Sequence, residues 1–168
     1  MTRKKDNAGK KVETSPSSAT SSESFYYEPG ESVGYLLRDC YRSFSKQLEK
    51  KIGEYDIKIG QWFFLRELWE DDGLSQRELA RRTGMMESTT VVAIRGMIKA
   101  DLVQRAHDPF DKRRYFVRLT AKGRRLRDKL LPYAREVNEK ATVGLSASEI
   151  KKFRSVLKTL KKNLRSSE

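Results

Sequence analysis

Apolar residues recur at helical spacing along most of this chain. Val33, Leu36, Leu37, Cys40, Tyr41, Phe44, Leu48 and Ile52 return every three or four residues and predict an amphipathic helix from about Ser32 to Gly53. Trp62, Leu65, Leu68 and Trp69 predict a second helix from about Lys58 to Glu70, broken by Asp71-Asp72-Gly73. Ser75 and Glu78 have the spacing of a capping box, in which each side chain satisfies an orphan backbone donor. A short helix therefore starts there and stops at Thr83-Gly84. Another follows from about Glu87 to Ala100, with Ala93, Ile94 and Met97 as its expected buried face. Asp101 stands at the turn after it, and Asp tolerates left-handed backbone better than most residues.

The period then changes from that of a helix to that of a strand. Leu102 to Ala106 and Tyr115 to Leu119 read as strands, and in the second Tyr115, Val117 and Leu119 alternate with Phe116 and Arg118. Residues 107–114 between them are polar and contain Pro109, which makes a hairpin with a basic tip. Thr120 is placed to cap a long helix to about Thr142. Pro132 inside it lacks a donor and should kink it. A second capping box, Ser146 with Glu149, opens a last helix carried by Ile150, Phe153, Leu157, Leu160 and Leu164 to about Asn163. The expected fold is mainly α with a small β-hairpin wing. Residues 1–24 hold six Ser, three Thr and no aromatic residue, and are expected to form a disordered basic tail.

Charge narrows the choice of partner. The 168 residues carry a net charge of +13, but unevenly. Residues 74–131 hold 15 basic and 6 acidic side chains, whereas residues 25–73 hold 7 and 10. A basic block inside a folded region is the footprint of a polyanion. Nucleic acid suits it better than an anionic membrane, because the basic residues do not line one helix backed by Trp and Leu. No run approaches the roughly 18 apolar residues of a membrane span, and residues 1–24 lack the apolar stretch of a secretory leader. A cytoplasmic, nucleoid-associated protein is expected. One cysteine, Cys40, and one histidine, His107, leave no set for a nucleophilic triad or a metal site of usual ligand count. No Gly-rich phosphate loop is present, so no enzyme, cofactor or metal is expected.

Two short helices joined at a Gly turn and followed by a basic hairpin make a winged helix-turn-helix. A second helix of this kind fits the major groove of double-stranded DNA, where base edges carry a readable donor and acceptor code. The hairpin tip reaches the neighbouring minor groove, whose negative potential attracts Arg. The stretches LSQRELARRTGMMESTT, DLVQR and DKRRYFVRLTAKGRRL, in this order between flanking helices, resemble the MarR family of bacterial transcription regulators. The resemblance covers about residues 32–165. It implies one domain over 25–168, with a winged DNA-binding part at 57–120 and a helical dimerisation part at 32–54 and 121–165.

The resemblance further implies a homodimer on a pseudo-palindromic operator, acting as a ligand-responsive repressor. Arg113 would enter the minor groove, oriented by Asp111, with Lys112 and Arg114 beside it. Glu87, Ser88, Thr89, Val92 and Arg95 would face the major groove, with Ser75 and Gln76 at the start of the preceding helix. Glu87 would accept from a cytosine amino group or pair with a neighbouring Arg. Many members carry Arg in place of Val92 and Gly in place of Asp101, so base reading would lean on Arg95, Ser88 and the wing. Arg124, Arg125 and Arg127 either touch phosphate or face solvent, and the lysines of the last helix make a solvated face. Tyr41, Arg42, Trp62 and Arg66 are candidates to hold a small anionic aromatic ligand such as an aromatic acid or its coenzyme A thioester. One branch of the family senses peroxides through a cysteine near the start of the first helix. That place aligns with Gly34, so Cys40 is read as core. Two alternatives stand beside the repressor: a constitutive architectural DNA-binding protein, and a redox-responsive regulator working through Cys40.

Overall fold

Local side-chain chemistry sets where most elements start and stop in the computed structural model, which describes residues 30–108, 111 and 115–165. The first helix, α1 (Val33–Ile52), ends in a 3-10 turn at Gly53–Tyr55 and a left-handed Asp56, φ 58°. Next come α2 (Ile59–Glu70), β1 (Leu74–Ser75), α3 (Gln76–Thr83) and α4 (Glu87–Lys99). Strands β2 (Val103–His107) and β3 (Tyr115–Leu119) form the hairpin, followed by α5 (Ala121–Ala141) and α6 (Ala147–Arg165). The Ser75 hydroxyl accepts from the Glu78 amide at 3.1 Å and caps α3. The full capping box forms at α6: the Ser146 amide donates to the Glu149 carboxylate at 2.8 Å, and the Glu149 amide donates to the Ser146 hydroxyl at 3.3 Å. Asp101 adopts φ 56°, the left-handed turn expected of it. Helix α5 runs from Ala121 to Ala141 with Pro132 inside it.

The chain divides between Asp39 and Cys40 into two units. Of the first, the described part is a turn at Gly30-Glu31 and the opening of α1, where the Arg38 guanidinium lies 5.6 Å from the Tyr35 ring centre. The second unit holds the core. Ile52, Phe64, Leu65, Leu68, Leu79, Ile94, Met97, Leu102, Val103, Val117 and Leu130 are buried together, drawn from helices α1 to α5 and the sheet. Trp69 ties α2 to α5, its indole N–H donating to the Gly123 carbonyl at 2.9 Å.

The sheet differs from expectation. Leu74-Ser75 reads as the lead-in to a helix, yet it pairs antiparallel with β3, Leu74 opposite Val117 and Ser75 opposite Phe116. The hairpin therefore gains a third strand, in the order β1-β3-β2. Strand β2 begins one residue later than its pattern suggests, with Val103 opposite Leu119 and His107 opposite Tyr115. A two-residue strand has no period of its own to read.

The stripe of α1 is helical as expected, but most of it is not core. Val33, Leu36, Leu37, Tyr41 and Phe44 are exposed, as is Cys40, which contradicts its reading as a core residue. Only Ile52 is fully buried, with Leu48 packed partly against the same cluster. On α4 the buried face is Thr90, Ile94 and Met97, while Ala93 is half-buried. Thr90 tolerates full burial because its hydroxyl donates to the Met86 carbonyl at 3.0 Å.

Candidate nucleic-acid interface

Helices α3 and α4 are joined by Gly84, which holds φ 68°, a left-handed turn that costs an L side chain energy and glycine almost nothing. Its amide donates to the Ala80 carbonyl, and the Met85 amide donates to the same oxygen at 3.1 Å. The buried side of α3 is Leu79 and Ala80. The buried side of α4 points the opposite face of that helix to solvent. Glu87, Ser88, Thr89, Val92, Arg95 and Lys99 are all exposed there. Ser88, Val92, Arg95 and Lys99 follow at steps of four, three and four, which places them on one face. Every groove-facing position expected on α4 is thus on its solvent side. Arg77, Arg95 and Lys99 join no ion pair among the described residues. Such guanidinium and ammonium groups are available to a polyanion.

Other charges are already engaged. Glu78 accepts from both Arg81 and Arg82, and Arg82 also reaches Asp71 at 2.7 Å. These hydrogen bonds, from Arg81 and then Arg82, hold the Glu78 carboxyl down at about 2 against its ordinary 4.5. Asp72 accepts from the Leu119 amide at 2.8 Å and from Arg124 at 3.0 Å, so Arg124 is partly committed to structure. The other expected positions near the helix start also have internal duties. Ser75 caps α3, and Gln76 accepts from the Tyr115 hydroxyl at 2.8 Å. Arg105 of β2 lies 4.5 Å from the centre of the Tyr115 ring, so α3, β2 and β3 meet at one tyrosine. No sequence spacing links residues 76, 105 and 115, and nothing in the pattern announces the contact. Lys112, Arg113 and Arg114 lie outside the described residues, and Asp111 beside them is exposed.

A cavity of about 500 Å³ opens beside α2. Its walls include Tyr41, Phe44, Trp62 and Phe63, with Arg66 and Arg135 as the cationic groups. The Tyr41 and Phe63 rings stack with centres 6.5 Å apart, and the Arg66 guanidinium lies 5.9 Å from the Trp62 ring centre. Tyr41, Trp62 and Arg66, expected from the sequence, thus line one cavity. Arg42 is exposed and is not among the lining residues. Arg135 comes from α5, far along the chain, and carries no signal that marks it beforehand.

These elements have relatives. The sequence model of the MarR family matches residues 57–115. The chain is 31% identical over 136 residues to the HTH-type transcriptional repressor NicR of Pseudomonas putida, a match covering 81% of this chain and 85% of that one. This chain belongs to the MarR family. This MarR chain is also similar to transcriptional regulator HosA of Escherichia coli, 30% identical over 126 residues, covering 75% of this chain and 92% of that one. Among solved structures, a MarR transcriptional regulator from Methanosarcina mazei Go1 superposes with a TM-score of 0.75 at 28% identity, covering 81% and 98% of the two chains. Bordetella bronchiseptica BpsR, studied for the regulation of its DNA binding by 6-hydroxynicotinic acid, gives 0.73 at 25%, covering 80% and 96%. As a MarR protein the chain is a DNA-binding transcription regulator of the winged-helix class, with α3 and α4 as its helix-turn-helix.

Proposed function

We propose that this MarR protein is a homodimeric repressor that holds a pseudo-palindromic operator and releases it when a small anionic aromatic molecule enters the cavity beside α2. One observation carries the reading. Helix α2 lines the cavity with Trp62 and Arg66 and, through Phe64, Leu65 and Leu68, packs into the core shared with Ile94 and Met97 of α4. A molecule that prefers one arrangement of α2 therefore biases the position of α4 by its differential affinity. The aromatic walls and two guanidinium groups suit an aromatic acid or its thioester. The BpsR precedent, 6-hydroxynicotinic acid, is such an acid.

On the operator, Glu87, Ser88, Thr89, Val92 and Arg95 face the major groove. Lys112, Arg113 and Arg114, with Asp111, serve the minor groove at the wing, and Ser75 and Gln76 stand beside the phosphates. Two such helices reach successive major grooves only when about 34–36 Å apart. A small rotation in the dimer is then enough to disengage one, and the protein works at the nucleoid. Residues 57–120 form the DNA-reading part, while residues 32–54 and 121–165 join the two copies.

The test is a titration of the purified protein on its own upstream intergenic DNA, across a salt series with random DNA as competitor. Competitor-resistant binding with log K falling steeply against log salt supports the regulator. Salt-sensitive binding with no preferred sequence supports an architectural protein instead. Aromatic acids and their thioesters are then added. Arg66→Ala should keep operator binding and lose the response to them. Arg95→Ala should cost about 1–3 kcal/mol at one base pair of each half-site.

A further inference from the structure

Among the described residues from Gly53 to Ala141, two large apolar side chains are exposed: Met86 at 75% and Val92 at 69%. Both belong to α4, one at its N-cap and one in its middle turns. The other exposed large apolar residues fall in α1, in α6 and in the turn that precedes α6. Exposed apolar groups are ordinary when scattered singly. Here they are absent from the described surface of α2, α3, α5 and the strands, and gather on the helix that presents Ser88, Thr89 and Arg95.

Val92 sits between Ser88, one turn before it, and Arg95, one turn after it. A valine in a helix has essentially one rotamer, so it loses little freedom on contact. Its methyl groups form no hydrogen bond and gain nothing from phosphate. In the major groove, the apolar group that a base edge offers is the C5 methyl of thymine. We infer that Val92 packs on a thymine methyl in each half-site and thereby selects thymine. The inference rests on α4 being the base-reading helix. Neighbours on one helix face lie about 5–6 Å apart, and bases of one strand step by about 3.4 Å. The thymine therefore falls within about two base pairs of the one that Arg95 reads. Base reading on this helix is then shared between one cation and one apolar side chain, rather than resting on Arg95 and Ser88 alone.

Binding sites selected from a random-sequence duplex pool supply the DNA for the test. Each thymine of the selected half-site is replaced in turn by deoxyuridine, which removes the methyl group and keeps every hydrogen-bonding group. One thymine, near the base whose identity ceases to matter in Arg95→Ala, should respond. Its replacement should weaken wild-type binding about fourfold, and about fifteenfold when both half-sites are changed. Val92→Ala should bind the thymine and deoxyuridine duplexes equally, while Val92→Ile should keep the preference. Val92 is exposed, so neither variant disturbs the core, and unchanged thermal melting and light scattering verify that. Equal wild-type affinity for both duplexes overturns the inference, as does full discrimination by Val92→Ala. A wild-type protein that selects no sequence at all overturns the regulator reading beneath it.

Discussion

Gly123 stands where a side chain has no room. A Cβ built there would lie 2.1 Å from the Leu102 carbonyl oxygen and 3.1 Å from the Leu119 side chain. The close approach brings the start of α5 onto the root of the hairpin, where Thr120 donates to the Asp101 carbonyl at 2.6 Å and accepts from the Gly123 amide at 3.0 Å. Gly123→Ala should destabilise the fold by about 1–3 kcal/mol or more, read as a lower denaturant midpoint, because backbone rather than a flexible side chain must give way. Glu78 makes a second residue-scale prediction. Its folded-state value, about 2, lies below the ordinary 4.5, so its stabilising contribution is complete above 4.5 and is lost as pH falls toward 2. Melting temperature measured from pH 6 to pH 2 should fall less steeply in Glu78→Gln than in the wild type. The effect should shrink in high salt, since the carboxylate and Arg81 are solvent-facing.

The two helices of the reading motif begin differently. Helix α3 is capped by Ser75, so Ser75→Ala should cost about 1 kcal/mol by chemical denaturation. Helix α4 begins at Met86, whose side chain makes no cap bond. Glu87 in its first turn is favoured there by the helix dipole. These boundaries were legible in the sequence because capping is local: Ser75, Gly84, Asp101, Thr120 and Ser146 each act within about four residues. Strand β1 was not, because its partner lies some forty residues away in β3.

Across the molecule, the exposed apolar residues of α1 and α6 state what a single copy lacks. Leu36 and Leu37 on the first helix, and Phe153 and Val156 on the last, are large apolar residues left exposed among the described residues. A second copy covers them in the proposed dimer. Phe153→Glu should shift the protein toward monomer in light scattering and weaken operator binding, since one half-site contact is lost per molecule. Removing the residues before Phe25 should leave the dimer intact, whereas deleting from Ser146 onward should abolish it. Retention of the dimer without α6 would sink this assignment.

Periodicity and local capping determined the six helices, the hairpin and the order that marks a MarR regulator, because helix and strand patterns repeat within a few residues. They also determined the outward face of α4, since the apolar positions Ile94 and Met97 leave the opposite side to solvent. The tertiary structure decided what periodicity cannot express. It separated apolar stripes that fill the core from those, on α1 and α6, that do not. It joined Arg135 to Tyr41, Trp62 and Arg66 around one cavity, left Arg42 outside it, and bound Gln76 to Tyr115. Each of these depends on residues distant in the chain, and a helical pattern fixes only that a face is apolar, not which surface covers it.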